Sequence, residues 1–185
     1  MANCKVVTGI NNVCGDLLQA SGVDKDFYVG YISDLSAKFS LTQTGAIASM
    51  TFVPYNGLIK FEGQKYSHKF SYDLTKGAGG SIAYTHKGTV KLMNLSTQDD
   101  VELQRLTQAQ DMFIISQDNN ENFFIYAPSK GFSAVAGAIR TTGENAGEDV
   151  LAAVSFESAE KVIPLRFTTG TTTQATITYL DSLIR

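Results

Sequence analysis

His68 and His86 are the side chains of this sequence best suited to ligate a metal or move a proton near neutral pH, and they are its only histidines. They lie on two alternating stretches that flank the glycine-rich run Lys76-Gly77-Ala78-Gly79-Gly80. A hairpin turning near Gly77 sets them opposite each other, where cross-strand side chains approach closely. Two ligands make a poor metal site, so the pair reads as a core contact. Acid is then expected to loosen it, because two imidazolium charges would sit side by side. Cys4 and Cys14 have no histidine near them in sequence and are too few for a structural zinc. They read as reduced thiols in an N-terminal arm or, in an extracellular particle, as a disulfide; spacing does not decide between the two.

Nucleophilic catalysis has no visible constellation. No serine occupies a Gly-x-Ser-x-Gly turn, and neither cysteine stands in a nucleophile motif. Asp99, Asp100, Asp118, Glu144, Glu148 and Asp149 fall at a helix start or in loops, and nothing in their spacing pairs two carboxylates for hydrolysis. The run Asp118-Asn119-Asn120-Glu121-Asn122 opens like a calcium loop. Phe123 then stands where glycine is required and Ser129 where the bidentate glutamate belongs. The glycines from Gly77 to Gly80 lack the Gly-Lys-Ser/Thr ending of a phosphate loop. The expectation is a non-enzymatic protein with no catalytic residue, no cofactor and no metal site.

What remains is a surface. Residues 65–92 alternate with a period of two. Tyr66, His68, Phe70, Tyr72 and Leu74, then Ile82, Tyr84, His86, Val90 and Leu92, line one face; Lys65, Lys69, Lys87 and Lys91 stripe the other. This predicts a hairpin with one buried face and arms of about 30 Å at ~3.3 Å per residue, longer than an ordinary strand. A long ribbon of this kind needs something to lie against. Its lysine stripe reads as a solvated sheet face, with an acidic neighbouring subunit or nucleic acid as the functional reading. The net charge of −3 argues against strong sequence-independent phosphate binding.

The surrounding elements are mostly strands. They are expected at 26–32, apolar on both sides like a buried central strand, then at 46–53 and 57–62 around the turn Pro54-Tyr55-Asn56-Gly57. One helix is predicted over about 98–109, with Ser96 or Thr97 as N-cap, Asp99, Asp100 and Glu102 beside the positive end of its dipole, and a thin stripe of Leu103 and Leu106. A second hairpin follows at 112–116 and 123–127, with strands at 132–139, 150–156, 161–167 and 175–180. The expected architecture is mainly β: a β-sandwich or partly closed barrel of about ten strands, one flanking α-helix and a long protruding hairpin. Residues 1–25 read as an N-terminal arm and 26–185 as one β domain, a size that buries a sufficient core without staples. No apolar run reaches membrane-spanning length, and the N-terminus lacks the pattern of a secretion signal, so synthesis in a cytoplasm is expected.

The order of these pieces carries a resemblance. Gly30-Tyr31-Ile32 in an early strand, the long hairpin, the lone acidic-capped helix, Asp118-Asn119-Asn120-Glu121-Asn122-Phe123-Phe124, Gly131-Phe132, and Gly147-Glu148-Asp149 leading into residues 150–156 resemble the tube-fold, ring-forming structural proteins of tailed bacteriophages. The N-terminal Asn3-Cys4 and Asn12-Val13-Cys14 are similar to virion proteins of crAss-like and related phages of gut bacteria. The pattern spans about residues 1–167 and contains no strict motif.

The resemblance implies a virion protein, assembled in the host cytoplasm with copies of itself and with other tail or neck proteins into a conduit for DNA passage, without a membrane. Ring closure would join exposed sheet edges and remove the aggregation risk of a free ribbon. The implied assembly surface comprises Lys65, Lys69, Gly77, Gly79, Lys87 and Lys91 of the hairpin and Gly143, Asn145 and Gly147 of the small-residue loop. The arm over residues 2–23 is expected to join it. A lysine-bearing face suits a partner or a neck ring better than a channel lining that must let phosphate pass. The competing expectation is a non-catalytic carbohydrate-binding or adhesion β-sandwich with tyrosine and phenylalanine platforms, weakened by the absence of tryptophan.

Overall fold

The computed structural model describes residues 23–40, 46–62, 68–77, 80–93, 97–136, 140–141 and 151–185. In chain order the elements are β1 (Val23–Tyr31), a 3-10 turn (Ile32–Asp34), β2 (Ile59–Glu62), β3 (Lys69–Lys76), β4 (Ile82–Met93) and α1 (Thr97–Gln108). β5 (Met112–Asp118), β6 (Phe123–Tyr126), β7 (Ser133–Ala134), β8 (Arg140–Thr141), β9 (Leu151–Glu160), β10 (Leu165–Phe167) and α2 (Thr173–Ser182) follow. One five-stranded sheet runs β10-β6-β5-β1-β2; the second runs β3-β4-β9-β7, with β8 also on β9. Both sheets are antiparallel and open at their ends, so the body is a β-sandwich and not a closed barrel.

Alternation decides which side chains meet. In β1 and β5, Phe27, Val29, Met112 and Ile114 point between the sheets, where they pack with Val90, Leu92, Val154 and Phe156 of the second sheet and Leu103 and Leu106 of α1. Their neighbours Tyr28, Phe113 and Ile115 point the other way, into a second core with Leu35, Ile47, Met50, Leu58 and Leu180. The first sheet is therefore buried on both faces, which is why β5 begins with five consecutive buried residues where a half-solvated strand would alternate.

The second core changes the identity of two expected strands and adds a second helix. Residues 175–180 lie in helix α2, not in a strand. Thr172 caps the helix by accepting from the Ala175 N–H at 3.2 Å, and Thr176 and Leu180, one turn apart, are buried against the first sheet. The expected strand at 46–53 is an irregular segment that touches its neighbours through isolated bridges, Ile47 to Phe167 and Leu35 to Phe52. Tyr179 stands in for its missing ladder. Its hydroxyl donates to the Met50 carbonyl at 2.9 Å and accepts the Met50 N–H at 3.0 Å. Of the strand expected at 132–139, only Ser133–Ala134 is strand among the described residues, and 137–139 lie outside them. The helix expected near 98–109 and the hairpin at 112–127 are where the sequence placed them.

Candidate functional site

The hairpin of β3 and β4 is built from the predicted alternation but in a different register. Lys69 pairs with Thr89, Tyr72 with His86 and Lys76 with Ile82. The turn therefore centres two residues later than expected, closed by the Gly77 N–H on the Ser81 carbonyl at 2.8 Å and by Gly80 at φ 80°. This is the geometry of a short loop ending on a left-handed residue. The correction has a chemical consequence: His68 and His86 do not face each other. Both are buried, at separate places, and each uses Nδ1 to accept a backbone N–H, from Lys91 at 3.3 Å and from Ala127 at 2.9 Å.

His86 sits where the hairpin leaves the body. Its Nε2 lies 2.9 Å from the Val162 carbonyl. A carbonyl only accepts, so Nε2 carries the hydrogen and Nδ1 holds a lone pair for Ala127. Burial pushes the imidazole below its usual range, against the opposing pull of its Val162 bond and of Glu160. Around it the rings of Tyr72 and Tyr126 stand edge-on at 6.2 and 6.1 Å, and Tyr126 stacks on Phe70 at 5.2 Å. Burial raises the Tyr126 phenol to about 12, helped by Asp118 and Tyr72.

Glu160, at the end of β9, is buried and was not singled out by sequence reasoning. Its carboxylate accepts the Lys130 N–H at 2.9 Å, the Ser129 N–H at 3.3 Å, the Ser158 hydroxyl at 3.1 Å and the Ser129 hydroxyl. A buried charge needs such a set of donors. The arrangement ties the loop after β6 to β9 at the same end of the sandwich where His86 ties it to β4. A signal was present in the alternation Ala152, Val154, Phe156, Ser158, Glu160, whose last two members continue the inward face of β9.

Beyond this belt the inner face of the hairpin runs out of partners. β9 ends opposite Tyr84, so Ile82 and the turn extend past it. Leu74 is 64% exposed, Ile82 59% and Tyr72 48%, on the face that is core at Val90 and Leu92. The outer side of β3, an eight-residue strand, pairs with no named strand among the described residues.

The opposite face carries the lysines. Lys69 and Lys91 are exposed there, whereas Lys87 holds Asp73 at 2.8 Å, a contact that raises its pKa. That pairing and the nearby Glu157 temper the positive stripe. Gly77 lies in the turn; Lys65, Gly79, Gly143, Asn145 and Gly147 lie outside the described residues, as do residues 1–22 of the arm. Of the tyrosines that would serve as a sugar platform, Tyr72 and Tyr84 meet edge-to-face at 63°, and Tyr55 stands alone at a turn. Among the described residues no group of three His, Cys, Asp or Glu side chains is placed to hold a metal ion, and no helix is long and apolar enough to cross a membrane.

Compared with protein-family models, with curated proteins and with solved structures, the chain matches none.

Proposed function

We propose that this chain is a non-enzymatic structural subunit that associates with copies of itself into a ring, as a tail-tube or neck component of a phage particle. The observation that carries the reading is the hairpin end, where Tyr72, Leu74 and Ile82 hold apolar surface in water beside the open edge of β3. Covering a Leu or Ile side chain is worth roughly 1.5–3 kcal/mol, and pairing the edge satisfies its outward backbone groups, so association acts on both. A stable contact would bury about 1,600 Å², of which this end supplies the apolar centre and the polar lysine face a rim. The phage context rests on the sequence resemblance; self-association rests on the exposed hairpin.

Electron microscopy of the purified full-length chain at high concentration, paired with sedimentation velocity, tests the reading. Closed rings are expected. A compact monomer at every concentration, with no ring of this chain in any particle, would overturn it.

A further inference from the structure

We propose that His86 is an acid-operated latch, which at neutral pH clamps the loop after β6 and the Val162 segment to the base of the hairpin and on protonation releases them while the rest of the sandwich stays folded. The geometry is the argument. Both ring nitrogens are committed to main-chain partners from different parts of the chain, Nδ1 to the Ala127 N–H and Nε2 to the Val162 carbonyl. One tautomer of the neutral ring satisfies both partners. A second proton can enter only at Nδ1, where it meets the Ala127 N–H head-on and breaks that bond.

Nothing nearby accommodates the change. His86 is 0% exposed, and Ala127 is buried as well, held at φ 56° in a region that non-glycine residues seldom occupy. With its acceptor lost, the Ala127 N–H has no water to turn to, so the loop must move. The titratable groups facing the ring are Tyr72 from β3, Tyr126 from β6 and Glu160 from β9. Tyr126, its phenol raised to about 12 by burial, carries no charge across the acid range. Glu160 would attract an imidazolium, but its carboxylate is occupied by Ser129, Lys130 and Ser158. Burial depresses the folded-state pKa of the ring below that of the unfolded chain, so the clamp is complete above about pH 6.5 and weakens as pH falls below it.

The latch is confined to one end of the body. The first core, around Ile114 and Val154, holds the other buried histidine, His68, edge-on to Phe27 at 4.8 Å, so the His68→Gln variant separates its protonation from that of His86. The loop that His86 holds is also anchored through Glu160, the bridge from Phe132 to Met112 and the packing of Phe132 on Phe156. The hairpin strands that present Leu74 and Ile82 begin where this clamp ends, so release would change the footing of that surface.

Amide hydrogen exchange by NMR, corrected for the intrinsic pH dependence of exchange, tests it on the full-length chain. Between pH 7.5 and pH 5 the protection of the Ala127 amide should fall by about tenfold or more, while Ile114 and Ile115 hold theirs. His86→Gln offers an amide oxygen to Ala127 and an NH2 to Val162 without titrating, and should abolish the fall; His68→Gln should leave it in place. Loss of Ala127 protection in step with β5, no loss at all, or a fall that persists in His86→Gln would overturn the proposal. Should His86→Gln not fold, the imidazole 15N signals of the unmodified protein decide. Protonation of Nδ1 at the pH where Ala127 is released supports the latch, and a ring still neutral at that point refutes it.

Discussion

Tyr28 donates its hydroxyl to Asp181 at 2.8 Å, joining the first sheet to the C-terminal end of α2 across 153 positions of sequence. Lys60 completes the contact, 3.4 Å from Asp181 and 3.6 Å from Asp26. Burial would lower the Lys60 pKa, but the two carboxylates outweigh it and raise the value. The phenol is likewise held above its usual range, by burial first and then by Asp181. Tyr28→Phe keeps the ring and removes the bond. We expect a loss of about 1 kcal/mol, seen as a lower urea midpoint with an unchanged slope. The figure is modest because Asp181 keeps Lys60 and partial access to water.

Tyr179 should matter more than Tyr28. Its hydroxyl serves both backbone groups of Met50, a buried residue whose segment otherwise bonds its backbone to neighbours through Ile47, Thr51 and Val53. Tyr179→Phe strands a donor and an acceptor together, so a loss of about 2 kcal/mol is expected, with faster amide exchange at Met50 as its local signature. Equal stability of the two proteins would mean that water reaches this segment.

These two tyrosines show where the sequence could be read and where it could not. The hairpin, the α1 helix and the β5–β6 pair were legible because each declares itself locally, through strict alternation, an acidic first turn and a polar turn run. The run from Thr173 to Ser182 declares the wrong thing: its threonines, Ile177 and Tyr179 favour strands, yet Thr172 can cap a helix and Thr176 and Leu180 share one face. Tertiary packing on the first sheet decides it. The register of the hairpin was equally hidden, since moving the turn by two residues keeps every side chain on its face and changes only who sits opposite. That is why the face of each histidine was legible and its partner was not. Glu160 was readable in outline as an inward position, but its donors Ser129 and Lys130 come from a distant loop.

Alkali should destabilise the protein through its buried phenols. The Tyr126 pKa stands near 12 in the folded state, against about 10 in an unfolded chain, and that of Tyr28 is raised as well. Above pH 10 the unfolded state binds fewer protons than the folded one, so the stabilisation present below pH 10 declines as pH rises towards 12. Each such phenol contributes a slope of at most about 1.4 kcal/mol per pH unit. Tyr126→Phe should flatten the fall between pH 10 and 11.5 in denaturant titrations. An unchanged slope would place that ring in water.

Two glycines with the same backbone sign should respond differently to alanine. Gly131 sits at φ 77° with its missing Cβ position 2.4 Å from the Asp111 Cα, and Gly80 at φ 80° with nothing within 4 Å. Gly80→Ala carries the conformational cost alone, about 1 kcal/mol. Gly131→Ala adds a backbone collision beside the Phe132 to Met112 bridge, and about 3 kcal/mol or more is expected. Thermal melts of the two variants separate conformation from contact, and similar losses in both would show that Asp111 moves aside freely.

The hairpin end should respond in the opposite sense to the core. Leu74 and Ile82 are mostly exposed, so Leu74→Lys with Ile82→Lys removes little packing within one subunit and should shift monomer stability by no more than about 0.5 kcal/mol per site. If that surface is covered by a neighbouring copy, the same pair of charges must be desolvated without partners on assembly. Sedimentation velocity should then show a loss of association of at least about a hundredfold, the equivalent of ~2.7 kcal/mol. The melting curve should stay in place. A variant that melts early would mean that these side chains serve their own fold, and one that assembles normally would move the contact away from the hairpin.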